Sequence, residues 1–292
     1  MVPMSYDLRF PVTEPHELEQ DQAFFTLLEN GLELKIRFHD YPELYRRQGL
    51  YEQLFYQRLK CASPEKVTGI LDEALRNERA EVSELRVLDL GAGNGMVGEH
   101  LHKKGVARII GVDISKDARE ACFRDRIGVY DEYYVSDLRY RDSELLGELK
   151  KWKLNCLISV AALGFGDIPV RAFSRAFSLI PPGGWLAINI KDSFLLQSDT
   201  SGFSRFIKSL LLEDGLEVHH LERYRHRISI DGKPLFYYAL VGKKKPTSMA
   251  ADDLDGFSKK SPKSTLAQVL RLVLPRGLQR GSGFHPGGGG GD

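Results

Sequence analysis

The sequence has few of the residues and segments that mark several large classes of protein. Its 292 residues include three cysteines, Cys61, Cys122 and Cys156, which are too few and too widely spaced for a disulfide framework or a paired metal site. We expect each to be a reduced thiol, as is usual in the cytosol. The longest apolar run, 156–165, is too short to span a bilayer, and the first residues do not resemble a secretory signal. These features predict a cytoplasmic protein without a membrane partner.

The sequence also lacks an excess of charge of either sign, since 41 basic residues are balanced by 40 acidic ones. The distribution is nevertheless uneven, because residues 243–292 carry nine basic and four acidic side chains and leave a net charge of −4 on the rest. This last segment is rich in glycine and polar residues, which bury too little apolar surface to offset their ordering entropy. We therefore predict that 243–292 is a disordered basic tail. The acidic body gives no general reason to expect a nucleic-acid partner.

Residues 1–84 are predicted to form a helical cap. Ser63-Pro64-Glu65 is typical of a helix start, with serine as the capping residue and proline at the first helical position. Upstream, 40–60 is rich in aromatic residues and has a second helical pattern with a break near Gly49. Tyr41 and Tyr45 from this segment are candidate substrate contacts, with packing of a helix as the alternative.

Residues 85–242 alternate between short apolar runs and helical patterns. The strand-like runs are 86–90, 108–113, 130–135, 154–160, 185–191, 216–229 and 236–241, and the helical patterns are 95–104, 116–124, 142–151, 169–179 and 202–213. Strands that alternate with helices predict an α/β fold, here a doubly wound and mostly parallel sheet of seven strands. The last two runs are separated by Asp231-Gly232 turn chemistry and predict an antiparallel hairpin at one sheet edge.

A glycine loop follows the first of these strands, in the segment VLDLGAGNGMVGEHL. Asp89, Gly91, Gly93 and Gly95 stand at alternate positions, and a helix begins directly after them. Loops of this kind bind nucleotides in doubly wound folds. A G-x-G-x-x-G dinucleotide pattern can be drawn from Gly93, but that pattern is weak evidence by itself and starts two residues late. An acid in the strand would repel a pyrophosphate, and it favours a ligand with cationic groups such as S-adenosylmethionine.

Acids also end the next two predicted strands. Asp113 comes 24 residues after Asp89, close to the spacing at which an acid meets ribose hydroxyls. Asp137 ends the third strand, where it can accept from an adenine amino group while the N–H of Leu138 reaches a ring nitrogen. The alternative for both acids is capping of the turn that follows.

With these motifs in this order, residues 85–242 resemble the class I S-adenosylmethionine-dependent methyltransferases. The carriers are VLDLGAGNG (87–95), GVDIS (111–115), YVSDL (134–138), the segment 155–167 and PPGGWLAINI (181–190). The resemblance implies a Rossmann-like fold and an S-adenosylmethionine site. The implied cofactor contacts are Asp89, Gly91, Ala92, Gly93, Gly95, Asp113, Ile114, Asp137, Leu138 and Ser159, with 159–163 lining the cofactor or acceptor pocket.

The sequence constrains the methyl acceptor less than it constrains the cofactor. We expect methyl transfer to an oxygen, nitrogen or carbon atom of a small molecule. The Asp-Pro-Pro-Tyr motif of amino-directed nucleic-acid methyltransferases is absent from 159–167, which argues against DNA bases as acceptors. Asp167 and Lys191 are further candidate substrate contacts, with surface solvation as the alternative.

No catalytic base is identified, and no His/Cys/Asp/Glu cluster predicts a metal.

Two other functions remain open at the level of the sequence. One is an NAD(P)-dependent oxidoreductase or epimerase of the same fold class, although no Tyr-x-x-x-Lys pair stands in the expected place. The other is a non-catalytic nucleotide-binding protein that docks a partner through its tail. We expect His219, His220 and His226 to lie on the late strand, away from the pocket.

Overall fold

The computed structural model describes residues 5–11, 23–163, 168–191, 202–212 and 215–246. Its strands are β1 (Asp7–Arg9), β2 (Phe24–Glu29), β3 (Leu32–Arg37), β4 (Arg86–Leu90), β5 (Arg108–Asp113), β6 (Glu132–Val135), β7 (Cys156–Ser159), β8 (Trp185–Lys191), β9 (Leu216–Ile228) and β10 (Pro234–Lys244). Its α-helices are α1 (Tyr41–Arg46), α2 (Leu50–Glu52), α3 (Ser63–Asn77), α4 (Met96–Lys103), α5 (Lys116–Asp125), α6 (Ser143–Lys151), α7 (Val170–Ser178) and α8 (Phe203–Leu212). A π-helical segment, Gln53–Arg58, continues α2, and a 3-10 turn covers Val82–Glu84.

Seven strands form one sheet in the order β6-β5-β4-β7-β8-β10-β9. The first five in this order are parallel, and β10 runs antiparallel to both of its neighbours. This is the predicted doubly wound sheet with an antiparallel hairpin at its edge, so the fold prediction is confirmed. Strands β4, β7 and β8 are almost fully buried, because helices cover both faces of the sheet. In the edge strand β6 only one of four residues is buried.

The helix predicted from Ser63 is present, and its expected apolar side is buried: Val67, Ile70, Leu71, Ala74 and Leu75. The predicted cap is wrong in detail, because Ala62 occupies the capping position and no side chain caps the helix. Ser63 instead lies inside the helix and is fully buried. The break near Gly49 is confirmed, since Gly49 has a left-handed φ of 77° between α1 and α2.

The N-terminal region is not wholly helical as predicted. β1, β2 and β3 form a small antiparallel sheet. β2 and β3 are joined by Asn30-Gly31, with φ angles of 53° and 79°. An Asn-Gly pair between two strand-like runs is a strong hairpin signal in a sequence. This sheet packs on the segment 41–59 through an apolar cluster that includes Phe25, Phe38, Leu44 and Leu54.

Candidate active site

A cavity of about 630 Å³ lies at the carboxyl ends of β4, β5, β6 and β7. These four strands are neighbours in the sheet and parallel, so the loops that follow them meet at one edge. Of the predicted cofactor contacts, the following line this large cavity: Gly91, Ala92, Gly93, Asp113, Ile114, Asp137 and Leu138. Volumes of about 300–1,000 Å³ are usual for cofactor and ligand sites.

The glycine loop connects β4 to α4 and forms one wall of the large cavity. Gly91, Gly93 and Gly95 have φ angles of 75°, 54° and 89°, a region in which a Cβ atom is disfavoured. A Cβ atom on Gly91 would lie 2.7 Å from Cβ of Ala162, and one on Gly93 would lie 3.0 Å from Oη of Tyr45. The loop therefore needs glycine both for its conformation and for the close approach of its neighbours. The first N–H groups of α4 have no partner within the helix and are directed toward this end of the sheet.

Asp113 ends β5 and joins the glycine loop to the loop after β5. Its Oδ2 accepts the N–H of Gly93 at 2.9 Å, and its Oδ1 accepts the N–H of Ser115 at 2.9 Å. Burial raises the pKa of this carboxyl, against the opposing effect of these backbone hydrogen bonds. A carboxylate has about four lone-pair sites, so Asp113 keeps acceptor capacity for a ligand in the cavity that it lines.

Asp137 lies beyond β6 and is held by a neighbour. Its Oδ1 accepts the N–H of Arg139 at 2.9 Å, and its Oδ2 lies 2.6 Å from the guanidinium of the same residue. The hydrogen bond from Arg139 lowers the pKa of Asp137, which is thus a carboxylate at neutral pH. Both side chains line the large cavity, so the predicted acid is there together with a cation that sequence reasoning did not single out.

Three predicted cofactor contacts do not line the large cavity: Asp89, Gly95 and Ser159. Asp89 is fully buried behind the loop, where its Oδ2 accepts the hydroxyl of Tyr130 at 2.7 Å and its Oδ1 has no partner among the described residues. Burial raises the pKa of Asp89 to about 7. Ser159 is also buried and donates to the carbonyl of Leu90 at 2.9 Å, while Gly95 caps α4. All three support the loop from outside the cavity.

Four tyrosines from the N-terminal region line the large cavity, and we call them the tyrosine roof: Tyr41, Tyr45, Tyr51 and Tyr56. The rings of Tyr41 and Tyr45 stack with centroids 6.0 Å apart, and those of Tyr45 and Tyr51 are 5.2 Å apart. Tyr41 and Tyr45 were expected to be near the site, and the structure places them there. Tyr51 and Tyr56 were missed, although the density of aromatic residues in 40–60 was the signal for them.

Two arginines at the end of α5 bind the segment that carries the tyrosine roof. Arg124 donates to the carbonyl of Tyr45 at 3.1 Å. Arg126 lies 2.7 Å from the carboxylate of Glu52 and donates to the carbonyl of Asn94 in the glycine loop at 3.0 Å. Its side chain is only 9% exposed, so the ion pair is shielded from water and holds the roof in a defined position over the loop.

The end of β7 carries an unusual backbone. Ala161 lines the cavity with a φ of 58°, which is rare for a residue other than glycine. Its N–H donates at 2.7 Å to Oδ1 of Asn189, a buried residue of β8. Asn189 also donates to the hydroxyl of Tyr224 at 2.8 Å, so a buried polar network holds this turn at the cavity. Strain of this kind occurs most often at functional sites.

The remaining candidates are distributed differently. Lys191 ends β8 and is not among the described residues that line the large cavity. Asp167 lies outside the described residues, as do 247–292 of the predicted tail. The predicted start of that tail at 243 is wrong, because Lys243 and Lys244 are the last residues of β10 and pair with β9. His226 was expected to be away from the site, but it lines a small second cavity of about 50 Å³ that shares Tyr41, Tyr51 and Ala161 with the large one. The long strand β9 turns back toward the N-terminal region at this end, where Ile228 donates to the carbonyl of Leu59 at 2.8 Å.

The described ranges contain neither a membrane-spanning helix nor a candidate metal site. None of their helices has the length and apolar character needed to cross a bilayer. They bring together no group of three or more histidine, cysteine, aspartate or glutamate side chains suited to a metal ion.

Residues 55–230 match the sequence model of a family described as a methyltransferase domain. The chain belongs to this family. The match covers more than half of the 292 residues, and it includes the glycine loop, Asp113 and Asp137. The predictions of a class I methyltransferase, of its enzyme class and of S-adenosylmethionine as cofactor are therefore confirmed. A search of curated proteins finds no match.

Several solved structures resemble this methyltransferase. The magnesium protoporphyrin IX methyltransferase of Synechocystis PCC 6803, with bound S-adenosylmethionine, is 16% identical, with 62% of this chain and 79% of that chain covered and a TM-score of 0.44. A methyltransferase of Methanosarcina mazei is 16% identical, with coverages of 59% and 96% and a TM-score of 0.41. The ribosomal protein L11 methylase of Lactobacillus delbrueckii subsp. bulgaricus is 17% identical, with coverages of 62% and 79% and a TM-score of 0.40. Likeness at this level does not indicate the acceptor.

Proposed function

We propose that this methyltransferase transfers the methyl group of S-adenosylmethionine to an oxygen, nitrogen or carbon atom of a small molecule. The observation that carries the proposal is the tyrosine roof, whose four aromatic side chains line one part of a cavity of about 630 Å³ at the strand ends. A concave cavity of this volume with an aromatic lining suits a cofactor together with a small acceptor. A protein or nucleic-acid acceptor would need a more open approach to the reacting atoms.

The chemistry of the cavity fits S-adenosylmethionine better than a dinucleotide. Asp113, Asp117 and Asp137 line it, against Lys116 and Arg139. The closeness of Gly93 and Asp113 would place a pyrophosphate on the loop beside a buried acid, which is unfavourable. A cationic ligand is favoured instead, because the faces of tyrosine rings attract cations.

We assign the parts of the cofactor site to residues as follows. The loop from Gly91 to Gly93 and the beginning of α4 would hold the methionine part, Asp113 the ribose hydroxyls, and Asp137 with Leu138 the adenine. Ile114 is 63% exposed and lines the cavity between the last two groups, where it offers apolar surface to the adenine ring. Asp89, Gly95 and Ser159 would act indirectly by holding the loop.

Catalysis by these residues consists mainly of positioning. When bound, S-adenosylmethionine would supply a methyl group on a positively charged sulfur, and its transfer to the acceptor would leave S-adenosylhomocysteine as the second product. The tyrosine roof and the rigid turn at Ala161 would keep the acceptor in place and exclude water. Among the predicted acceptor contacts, we keep Tyr41 and Tyr45 in this role.

The division of the chain is also a proposal. We infer a cap over 1–84, a methyltransferase domain from 85 to the end of β10 at Lys244, a tail after that strand, and a cytoplasmic location. The strands of the N-terminal region make the cap a mixed unit instead of a helical one.

Transfer of radiolabelled methyl groups tests the proposed acceptor class. The full chain is incubated with labelled S-adenosylmethionine and a small-molecule extract, total RNA, total protein or DNA in separate reactions. We expect label in the small-molecule reaction alone, and label found only in RNA, protein or DNA would contradict the proposal. A Gly93→Asp variant, which places a charged side chain in the loop, is the inactive control.

A further inference from the structure

The small cavity beside the large one contains a buried cation. Arg227, on β9, lines it and is only 6% exposed. Its guanidinium donates to the carbonyl of Ile228 at 3.0 Å and lies 5.8 Å from the ring of Phe38. Within the described ranges it has no carboxylate partner. A buried guanidinium without a counterion is unfavourable, and its five N–H donors are largely unused by a single protein acceptor.

The other walls of the small cavity do not neutralise this charge. Burial lowers the pKa of His226 to about 3, so its ring is neutral at physiological pH. Burial raises the pKa of Cys61 and of Tyr51, which are therefore neutral as well. Arg227 is thus the only permanently charged side chain among the described residues that line the small cavity. The small cavity therefore carries a net positive charge, and an anion binds a buried guanidinium more strongly than one exposed to water.

The position of the small cavity connects it to the reaction. Tyr41, Tyr51 and Ala161 line both cavities, so the small cavity adjoins the one in which we place the methyl acceptor. The volume of about 50 Å³ admits a small polar group and excludes a second bulky one. A guanidinium presents its donors in a plane that matches the two oxygens of a carboxylate.

We propose that Arg227 binds a carboxylate of the methyl acceptor, so that the small cavity is the specificity pocket of the enzyme. This inference rests on the proposed function, since it assigns one end of a small acceptor. It narrows the acceptor to carboxylic acids whose reacting atom lies in the large cavity, under the tyrosine roof.

Acetate is the probe for this pocket, with acetamide as its neutral counterpart of the same shape. The Nε–H signal of Arg227 is followed by NMR in the full chain, in buffer without chloride, and is assigned by its loss in Arg227→Lys. We expect acetate to shift the signal saturably and acetamide to bind at least tenfold more weakly. No saturable shift, or an equal response to both compounds, would overturn the proposal.

Variants separate the pocket from the cofactor site. Arg227→Gln should lose acetate binding, detected on the labelled acetate itself, and keep the affinity for S-adenosylhomocysteine. Arg225→Gln removes an exposed arginine of the same strand and should change neither. If Arg227→Gln does not fold, Arg227→Lys keeps the charge and should bind acetate several-fold more weakly. Acetate binding unchanged in a folded Arg227→Gln would refute the assignment.

The experiments distinguish a wrong acceptor class from a wrong assignment of the pocket at Arg227. A wild-type chain that binds acetate at Arg227 but transfers label only to a macromolecule would contradict the proposed function and leave the anion pocket in place. A chain that methylates small molecules but shows no acetate response at Arg227 would contradict the pocket alone.

Discussion

Replacing Asp113 by asparagine is the sharpest test of the cofactor site. The carboxylate of Asp113 already holds two backbone N–H groups, those of Gly93 and Ser115, each at 2.9 Å. Its remaining lone pairs are those that we assign to the ribose hydroxyls. Asparagine keeps the size of the side chain but replaces one oxygen by an NH₂ group. That group must either oppose an N–H donor of the loops or be turned toward the ribose.

The size of the effect follows from these contacts. A hydrogen bond to a charged group contributes about 1.5–3 kcal/mol, and each 1.4 kcal/mol is about a factor of ten in affinity. Loss of one such bond to the ribose should weaken binding of S-adenosylhomocysteine by roughly 10- to 100-fold. Loss of the bond to Gly93 would also lower the free energy of unfolding, by about 1 kcal/mol, because a partly buried N–H loses its acceptor.

Calorimetric titration with S-adenosylhomocysteine separates these two effects when a matched variant is included. Asp131 lies near the opposite end of β5, where its Oδ2 accepts the N–H of Ile109 at 2.8 Å, and it does not line the large cavity. Asp131→Asn should therefore lower stability without changing the affinity. If Asp113→Asn is folded and binds S-adenosylhomocysteine as the wild type does, Asp113 only stabilises the turn and the ribose assignment is wrong.

Three further predictions follow from the same contacts. Gly93→Ala adds a Cβ atom 3.0 Å from Oη of Tyr45 at a φ of 54°, so calorimetry should show weaker binding of S-adenosylhomocysteine. Adding Tyr45→Phe removes that hydroxyl and should restore part of the lost affinity. If it restores none, the loss comes from backbone strain alone. Tyr45→Ala opens the roof and should raise KM for the acceptor more than Kd for S-adenosylhomocysteine, whereas Tyr45→Phe should leave both nearly unchanged; equal effects on both constants would place Tyr45 on the cofactor side. Burial raises the pKa of Asp89 to about 7 from its usual 3.8, so the folded state favours the protonated acid and this stabilisation is lost as the pH rises from 3.8 through 7. The free energy of unfolding of the wild type, measured with urea, should therefore fall by up to roughly 4 kcal/mol relative to that of Asp89→Asn across this range. Parallel pH profiles of the two proteins would show that the pKa of Asp89 is not raised.

The sheet was predictable because each of its strands has a strong local signal. β4, β5 and β8 begin and end where the apolar runs do, at 86–90, 108–113 and 185–191. Parallel strands are covered on both faces and are therefore apolar throughout, which makes them easy to distinguish from the amphipathic helices between them. The small N-terminal sheet was missed although Asn30-Gly31 marked its hairpin, because its strands alternate and are only half buried.

The acids at the strand ends show the limit of sequence reasoning about the site. Asp113 is the last residue of β5 and lines the large cavity, whereas Asp89 is the last but one of β4 and is buried beside Tyr130. Asp89 is level with Gly111 of β5, two residues before Asp113, so the two acids lie on the same face of the sheet and differ in how far they stand along the strands. Spacing along the chain does not show that difference, and the partner Tyr130 is far away in sequence. Arg227 was missed for a similar reason, because nothing local indicates that the end of β9 is covered by the N-terminal region.

The family match includes the residues that we assign to the cofactor but leaves out most of the tyrosine roof. The match begins at residue 55 and includes the loop and acids that we assign to the cofactor. Tyr41, Tyr45 and Tyr51 precede it, yet they form most of the roof and are tied to α5 and the glycine loop through Arg124 and Arg126. Membership of the family accounts for the methyl donor, and we propose that the N-terminal roof and Arg227 select the acceptor. Because the roof is bound to the loop that we assign to the cofactor, a change in the roof or in the loop should alter the binding of both ligands.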